Sequence, residues 1–480
     1  MENYTRLKVY NIGLIAFFLF VINSLNAQYS PEFLKYSKLY PEASRVRLHQ
    51  ETIITIEANK EGIEINQKFI EEDLYLNESA TYNSKNRLNF SAFFELEKIE
   101  AASLTYNGKK YETTAVEKFT EKDELNDSFY DDTKSLNFVY PNLQKGSKSK
   151  LEYSQIIKNP RFLSPFYFGD YFPILKNKVT IIADKNVNLE FRKFNISDDK
   201  IQFSQDKKRG KIIYSWELTN QEEYEYEANT PSFKTFLPHI VPIITSYKIK
   251  RKEIKLLGKV SDLYNWYYSL VENVNTEPAS PELIALTNKI TADKNTDLEK
   301  VKAIYYWTQQ NIKYIAFEYA LGGFIPRESN DVFRKKYGDC KDNSSILYRM
   351  LEIAGVKGNL TWIGTRKIPY TYEEVPTPVV DNHMILTYED KNGRTYYLDA
   401  TGRYIKFGIP TSFIQGKEAL VSYGKAFRIK KVPVVDAKVN SVIDSTNITI
   451  KNGSVIGKAT TFIAGYPKID LFHDLENENT

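Results

Sequence analysis

The hydrophobic periodicity of this chain changes once, near residue 245, and that change constrains the fold more than any other feature. Before it, residues 45–245 contain a succession of short alternating or β-branched runs. Turn sequences such as Asn107-Gly108 and Lys208-Arg209-Gly210 separate these runs. Regular spacing of this kind, without helical periodicity, predicts a sheet-rich domain that resembles a β-sandwich. Aromatic residues make up 14% of the chain, as expected for half-buried sheets.

After residue 245 the pattern becomes helical. Apolar residues at helical spacing predict helices around 263–271, over 281–291 and after the capping-box sequence Thr296-Asp297-Leu298-Glu299. A fourth helix is expected from Lys341 to a stop at Gly355. Strands are expected around 360–364, 383–388, 395–399, 441–450 and 454–462, and the turn Asp390-Lys391-Asn392-Gly393 predicts a hairpin between the second and third of these.

These patterns predict an α+β protein with five segments. They are a signal peptide at 1–27, a β-rich N-terminal domain at 28–245, a connecting helix at 246–274, a mixed core at 275–430 and a β segment at 431–480. We interpret the basic stretch at 248–255 as a solvated connector rather than a patch for an anionic surface. The last segment is either part of an incomplete C-terminal domain or an edge sheet on the main body.

The N-terminus has the pattern of a secretory signal. Arg6 and Lys8 precede an apolar run at 12–22, which is shorter than the roughly 20 residues that span a bilayer. We predict cleavage after Ala27, and an uncleaved anchor is the alternative. In both cases the protein leaves the cytoplasm for the periplasm, the cell envelope or the exterior.

Composition and spacing argue against several kinds of site. The net charge of +4 is too small for a nucleic-acid-binding protein, so no nucleic-acid partner is expected. No cysteine or histidine spacing suits zinc, and we predict neither a metal nor a cofactor. The glycine-rich stretch at 453–458 is one residue short of a phosphate-binding loop and lacks its following Ser or Thr.

Cys340 is the one cysteine of the chain, so it forms no internal disulfide. It lies in the sequence Tyr337-Gly338-Asp339-Cys340-Lys341-Asp342, directly before the fourth predicted helix. A helix N-terminus stabilises a thiolate through its dipole and its free backbone N–H groups. Lys341 could add to this effect, and Gly338 would let the chain turn sharply into the helix.

His383 and Asp399 supply the other groups that a nucleophilic thiol requires. If the predicted hairpin has the usual bulged turn, residues whose numbers sum to about 784 lie opposite each other, and Asp399 becomes a diagonal neighbour of His383. A thiol, an imidazole and a carboxylate in this arrangement predict a Cys340–His383–Asp399 catalytic triad. Taken singly, each residue is more often structural, and the prediction depends on their combination.

Three stretches resemble the transglutaminase-like superfamily core over about residues 275–410. They are the cysteine sequence above, Asp381-Asn382-His383, and Tyr397-Leu398-Asp399-Ala400-Thr401-Gly402. The region before them resembles a domain of unknown function that often precedes this core in exported bacterial proteins. That likeness is carried by Tyr106-Asn107-Gly108-Lys109, Tyr140-Pro141-Asn142-Leu143 and Tyr171-Phe172-Pro173.

The resemblance implies a papain-like core in which Cys340, His383 and Asp399 hold the catalytic positions. It also implies acyl transfer from a glutamine side chain or a peptide carbonyl to an amine or to water, so the expected partner is a polypeptide or peptide-like substrate. Animal transglutaminases have a tryptophan upstream of the cysteine as an oxyanion donor, but none lies between Trp307 and Cys340. The Cys340 N–H is then one donor and the second is unidentified, which favours hydrolysis over crosslinking.

Two other classes of function are compatible with the sequence. The chain could be a non-catalytic envelope module that binds a polypeptide or glycan through a degenerate core, or a purely structural envelope protein in which Cys340 is buried. Envelope association and oligomeric state are left open by the sequence.

Overall fold

The structure is a computed structural model that describes residues 29–478, apart from 125–128, 198 and 226. The predicted signal peptide at 1–27 lies outside the described residues. The chain divides into two compact units: the first ends at Leu256, and the second begins at Leu257 and also includes 129–131.

The first unit is rich in strands, as the sequence predicted. It begins with helix α1 (Pro31–Leu39), whose N-cap is Ser30. Strands are numbered in chain order, and β7 (Phe129–Asp131) is in the second unit. The strands of the first unit are β1 (Arg45–Ala58), β2 (Ile63–Tyr75), β3 (Lys85–Phe90), β4 (Phe94–Tyr106), β5 (Tyr111–Ala115), β6 (Phe119–Asp123), β8 (Lys134–Val139), β9 (Lys148–Ile157), β10 (Phe166–Tyr167), β11 (Ile174–Asp184), β12 (Val187–Phe194), β13 (Ile201–Lys208), β14 (Lys211–Gln221), β15 (His239–Ile249) and β16 (Lys252–Lys255).

Three sheets build this unit. The largest has the order β13-β14-β11-β1-β2-β9-β4-β5, and a four-stranded sheet contains β10, β15, β12 and β16. The main core lies between these two sheets, with Ile54 and Val179 from the first and Ile240 and Ile244 from the second. A third sheet has the order β3-β8-β6. The basic stretch at 248–255 is exposed, but it is the end of the β15–β16 hairpin rather than an irregular connector.

The second unit contains the remaining helices and strands. Its helices are α2 (Val260–Val271), α3 (Pro281–Thr291), α4 (Asp297–Asn311), α5 (Ser329–Lys335), α6 (Cys340–Ile353) and α7 (Tyr466–Glu478). Its other strands are β17 (Lys313–Tyr314), β18 (Ala316–Glu318), β19 (Tyr337–Gly338), β20 (Gly358–Ile363), β21 (His383–Glu389), β22 (Thr395–Leu398), β23 (Glu418–Tyr423), β24 (Ala426–Lys431), β25 (Ser441–Lys451) and β26 (Ser454–Ala464).

An antiparallel sheet with the order β22-β21-β20-β23-β24 forms the centre of this unit. Helix α6 packs on it through a stripe that includes Met350 and Leu351, which belong to the same hydrophobic core as Leu386 and Leu398 of the sheet. Helices α3 and α4 join the same core. This arrangement packs α6, which begins with Cys340, against β21, which begins with His383, and this packing is the basis of the site described below.

The predicted helices of this unit form at the expected places because their end signals are strong. Thr296 and Glu299 make the predicted capping box of α4, and Gly355 has a positive φ of 72° after α6. Helix α7 was not expected. Among the described residues, no helix is both long and apolar enough to cross a membrane.

Candidate active site

Cys340 is the first residue of α6, and its side chain is partly exposed. The N-cap is Asp339, whose carboxylate accepts hydrogen bonds from the backbone N–H groups of Lys341 at 3.0 Å and Asp342 at 3.2 Å. The Asp342 carboxylate accepts in return from the Asp339 N–H at 3.2 Å, which completes a capping box. The Cys340 N–H takes no part in this box and remains a donor beside the sulfur.

Arg327 fixes the start of this helix from outside. Its Nε and Nη2 donate to Asp342 Oδ2 at 2.9 and 2.7 Å, and its backbone N–H donates to Asp342 Oδ1 at 2.9 Å. Paired hydrogen bonds from a guanidinium to one carboxylate hold a fixed geometry. The helix start is therefore held by side chains that do not react themselves.

Two sequence interpretations change at this helix start. Lys341 is 3% exposed, and its ammonium forms an ion pair with Asp339, so the charge is compensated within the cap rather than directed at the sulfur alone. Burial raises the pKa of Asp339, although Lys341 opposes that shift. Gly338 does not have the positive φ that a sharp turn would need. Glycine is required there for space, since a Cβ would lie 2.5 Å from the Asp342 Cβ.

His383 and Asp399 lie together, as the predicted hairpin geometry requires. Leu386 pairs with Leu398 and Thr387 with Tyr397, which is the register in which residue numbers sum to 784. His383 begins β21, and Asp399 follows the last residue of β22. The His383 Nε2 lies 3.0 Å from Asp399 Oδ2, and both side chains are buried.

The three predicted residues are brought together at one site. A hydrogen bond between the side chains of His383 and Cys340 is among the interactions that raise the His383 pKa. Because Nε2 faces Asp399, the other ring nitrogen, Nδ1, is the one available to the sulfur. A thiol, an imidazole and a carboxylate arranged in this order match the geometry of a cysteine triad.

Opposite pKa shifts describe the electrostatics of the pair. Burial alone would lower the pKa of His383, but the charge of Asp399 and its hydrogen bond raise that pKa well above the ordinary value. Burial alone would raise the pKa of Asp399, but His383 and hydrogen bonds from Thr401 and Thr411 lower it. Both shifts favour an imidazolium next to a carboxylate.

Sequence reasoning missed the residues that surround this pair. Thr401 Oγ1 donates to Asp399 Oδ1 at 2.5 Å, and Thr411 Oγ1 donates to Asp399 Oδ2 at 2.7 Å. The Phe413 ring meets the His383 ring edge-on, with centroids 5.3 Å apart. Thr401 follows Asp399 in a recognisable turn sequence, but Thr411 and Phe413 come from an irregular segment that has no pattern to reveal them.

A second buried carboxylate anchors the chain just before His383. Asp381 accepts hydrogen bonds from the hydroxyl groups of Tyr267 at 2.6 Å and Tyr372 at 2.9 Å. Burial raises its pKa to about 7, although the two tyrosines and Lys417 oppose the shift. The resemblance pointed to the sequence around Asp381 but gave this residue no role.

Within the described chain, no group of three or more His, Cys, Asp or Glu side chains could hold a metal ion. The side chains described at this site are a thiol, an imidazole and a carboxylate, together with hydroxyl and aromatic neighbours.

Two segments of the chain match models of known families. Residues 284–361 match the model of the transglutaminase-like superfamily, and this match includes Cys340 but ends before His383 and Asp399. Residues 75–225 match a domain of unknown function with solved structure, DUF3857. These two matches confirm the resemblance seen in the sequence. No curated protein matches the chain.

Among solved structures, a candidate protease from Parabacteroides distasonis has the same fold. It is 14% identical, with a TM-score of 0.61, and the match covers 81% of this chain and 72% of that one. An M1 zinc metallopeptidase from Deinococcus radiodurans is 7% identical over 56% of this chain and 54% of that one, with a TM-score of 0.22. That TM-score is too low to indicate a shared fold.

Proposed function

We propose that this protein is a cysteine-dependent acyl-transfer enzyme that acts on amide groups of polypeptides or peptides. Cys340 is the nucleophile, His383 the general base and acid, and Asp399 the group that orients His383. The observation that carries the proposal is the contact of one imidazole with Asp399 through Nε2 and with the Cys340 side chain.

The reaction proceeds in two steps. The Cys340 sulfur forms a bond to the carbonyl carbon, the carbon–nitrogen bond of the amide breaks, and the imidazolium of His383 gives its proton to the leaving nitrogen. A water molecule or an amine then gives a proton to His383 and attacks the thioester, which releases the acyl group and restores the thiolate. The Cys340 N–H, which takes no part in the capping box, is the donor that we assign to the oxyanion of both steps.

The pKa shifts of the His383–Asp399 pair support this assignment. A His383 pKa well above its ordinary value keeps the imidazole protonated at neutral pH, where it can balance a thiolate. The lowered pKa of Asp399 keeps that residue ionised over the same range. A free cysteine, with a pKa of about 8.5, would be mostly protonated there.

The substrate class and the location belong to the same proposal. The fold shared with a candidate protease favours a peptide acyl donor, with water or an amine as the acceptor. We place the mature protein outside the cytoplasm, on the strength of the predicted signal peptide at 1–27.

Turnover of peptide amides tests the proposal. Purified protein is incubated with denatured casein, with and without an amine such as fluorescent cadaverine. Released ammonia, peptide fragments and incorporated amine are then measured. We expect turnover by the wild type, and at least a ~1,000-fold loss in Cys340→Ser and His383→Ala. His49→Ala, which changes a histidine of the first unit, is the matched control and should retain activity.

Turnover that survives in Cys340→Ser would disprove the mechanism. If casein instead binds equally well to the wild type and to Cys340→Ser and none is converted, the protein is a binding module with a degenerate core.

A further inference from the structure

The first unit contains a cavity of about 400 Å³, which lies outside the proposed catalytic site. Its floor is formed by side chains on one face of the central strands β1, β2 and β9. Its rim comes from the segments around residues 164–171 and 233–237. This volume is within the range of about 300–1,000 Å³ that is typical of small-molecule sites.

Two unpaired amide groups and two aromatic rings form part of the floor. Gln67 of β2 lies directly opposite Gln155 of β9, and Phe69 lies directly opposite Tyr153 in the next same-face position. Within the described chain, the side chains of Gln67 and Gln155 make no hydrogen bond. Each side-chain amide has two N–H donors and one carbonyl acceptor. The two amides can therefore bind ligand groups that both donate and accept hydrogen bonds, such as hydroxyl groups.

The rim adds two exposed aromatic side chains. Tyr171 is 41% exposed and Phe233 is 37% exposed, and both line the cavity. The cavity therefore has apolar surfaces, from the aromatic rings of the rim, beside hydrogen-bonding groups, from the amides of the floor. A ligand that fits must therefore have an apolar face and a polar edge.

The charges in the walls are balanced, which favours an uncharged ligand. Arg47 donates to Asp73 through Nε at 2.7 Å, lies 2.9 Å from a Glu71 oxygen, and donates from Nη1 to the Gln50 Oε1 at 2.8 Å. The guanidinium is thus saturated by groups of the protein. The other charged residue of the lining is Asp170, so the lining offers no unpaired cationic group to an anionic ligand.

A peptide is disfavoured by the position of the floor in the sheet. Strands β2 and β9 lie inside the eight-stranded sheet and are paired on both sides. The floor therefore offers no free strand edge to which an extended peptide could add through backbone hydrogen bonds.

We propose that this cavity binds a neutral saccharide. A sugar ring has C–H groups on its faces, which suit the rings of Tyr171 and Phe233, and hydroxyl groups on its edge, each a donor and an acceptor, which suit Gln67 and Gln155. The first unit would then attach the protein to a glycan, independently of the reaction at Cys340.

Binding of defined oligosaccharides tests this proposal. The full-length protein is titrated with cellohexaose, maltohexaose and chitohexaose up to 10 mM, with isothermal calorimetry as the measurement. We expect at least one of the three to bind, and its Kd to rise at least tenfold in Tyr171→Ala and in Gln155→Leu. Tyr82→Ala removes a tyrosine that is 87% exposed and does not line the cavity, so it serves as the matched control and should bind like the wild type.

Three outcomes would overturn the proposal. They are no binding of any of the three sugars, binding that is unchanged in both cavity variants, and a preference for casein peptides that these variants abolish. Circular dichroism of each variant shows whether a loss of binding comes from the changed site or from unfolding of the protein. Because Cys340→Ser should bind sugar normally, failure here is distinguishable from failure of the proposed reaction.

Discussion

Asp399 depends on two threonine hydroxyl groups that hold it as an ionised acceptor. A carboxylate that is 2% exposed needs such partners, since an unpaired buried charge is costly. Thr401 and Thr411 each donate to one of its oxygens, and His383 shares the second oxygen with Thr411. The orientation of the imidazole is therefore set by residues that take no part in bond making.

Replacement of Thr411 tests this support. Thr411→Val removes one hydrogen bond to a charged group, so we expect the free energy of unfolding at pH 7 to fall by about 1.5–3 kcal/mol. Urea denaturation measures this change. The control Thr411→Ser keeps the hydroxyl group, so its free energy of unfolding should fall much less. A loss in Thr411→Ser as large as the loss in Thr411→Val would contradict the role of the hydroxyl group, because Thr411→Ser keeps the hydrogen bond to Asp399.

Asp381 makes the folded protein less stable as the pH rises, whereas most paired carboxylates have the opposite effect. Its pKa in the folded protein is about 7 because the side chain is buried, whereas in an unfolded chain it is about 3.9. The folded state therefore binds a proton that the unfolded chain releases between these two values. The stabilising contribution is complete below about pH 4 and is lost as the pH rises through about 7.

Asp381→Asn removes this titration and keeps the size of the side chain. We expect the free energy of unfolding of the variant, relative to the wild type, to increase by a few kcal/mol (~2–4) between pH 5 and pH 8. Urea denaturation at several pH values measures the difference. A difference that does not change with pH would contradict the raised pKa.

At the scale of elements, the start of α6 is the most tightly specified part of the site. Three features fix it: the lack of space at Gly338, the N-cap hydrogen bonds to Asp339, and the hydrogen bonds from the Arg327 guanidinium to Asp342. A side chain at position 338 would collide with Asp342 and lie 3.2 Å from the Arg327 Nη2. The helix start, and the sulfur with it, would have to move.

Gly338→Ala should therefore reduce both stability and thiol reactivity. We expect a loss of roughly 1–3 kcal/mol from overpacking, with a several-fold slower alkylation of Cys340 by iodoacetamide at pH 7. Gly322→Ala is the matched control, because an added Cβ at Gly322 meets nothing within 4 Å. A Gly338→Ala variant that behaves like this control would show that the contact is easily relieved.

The elements that sequence reasoning located are those whose ends carry chemical signals. The capping box at Thr296 and the turn at residues 390–393 correctly predicted α4 and the register of β21 with β22. That register was enough to bring Asp399 to His383. Thr411 and Phe413 could not be predicted, because their segment is positioned by tertiary packing rather than by local periodicity.

At the scale of the whole molecule, the strands of the second unit differ in how completely they are covered. The hairpin β25–β26 exposes large apolar side chains, among them Ile450 at 76% and Phe462 at 70%. A two-stranded hairpin is marginally stable by itself. The five-stranded sheet that carries His383 is instead buried under α6.

Hydrogen exchange should reveal this difference within the second unit. We expect backbone amides of 441–464 to exchange at least tenfold faster than those of β21, as measured by mass spectrometry of the full chain. The expectation follows from the lack of packing against most of the hairpin. Comparable protection of the two regions would contradict it and would indicate a partner that covers the hairpin.

The proposed function depends most on a thiolate at Cys340 that is sustained by His383. The most direct measurement is the rate of alkylation by iodoacetamide from pH 5 to pH 9, for the wild type and for His383→Ala. We predict that the wild type still reacts rapidly at pH 6, and that the variant reacts only as the pH approaches the ordinary thiol range of about 8–9. Superimposable profiles, both rising in that upper range, would contradict the triad.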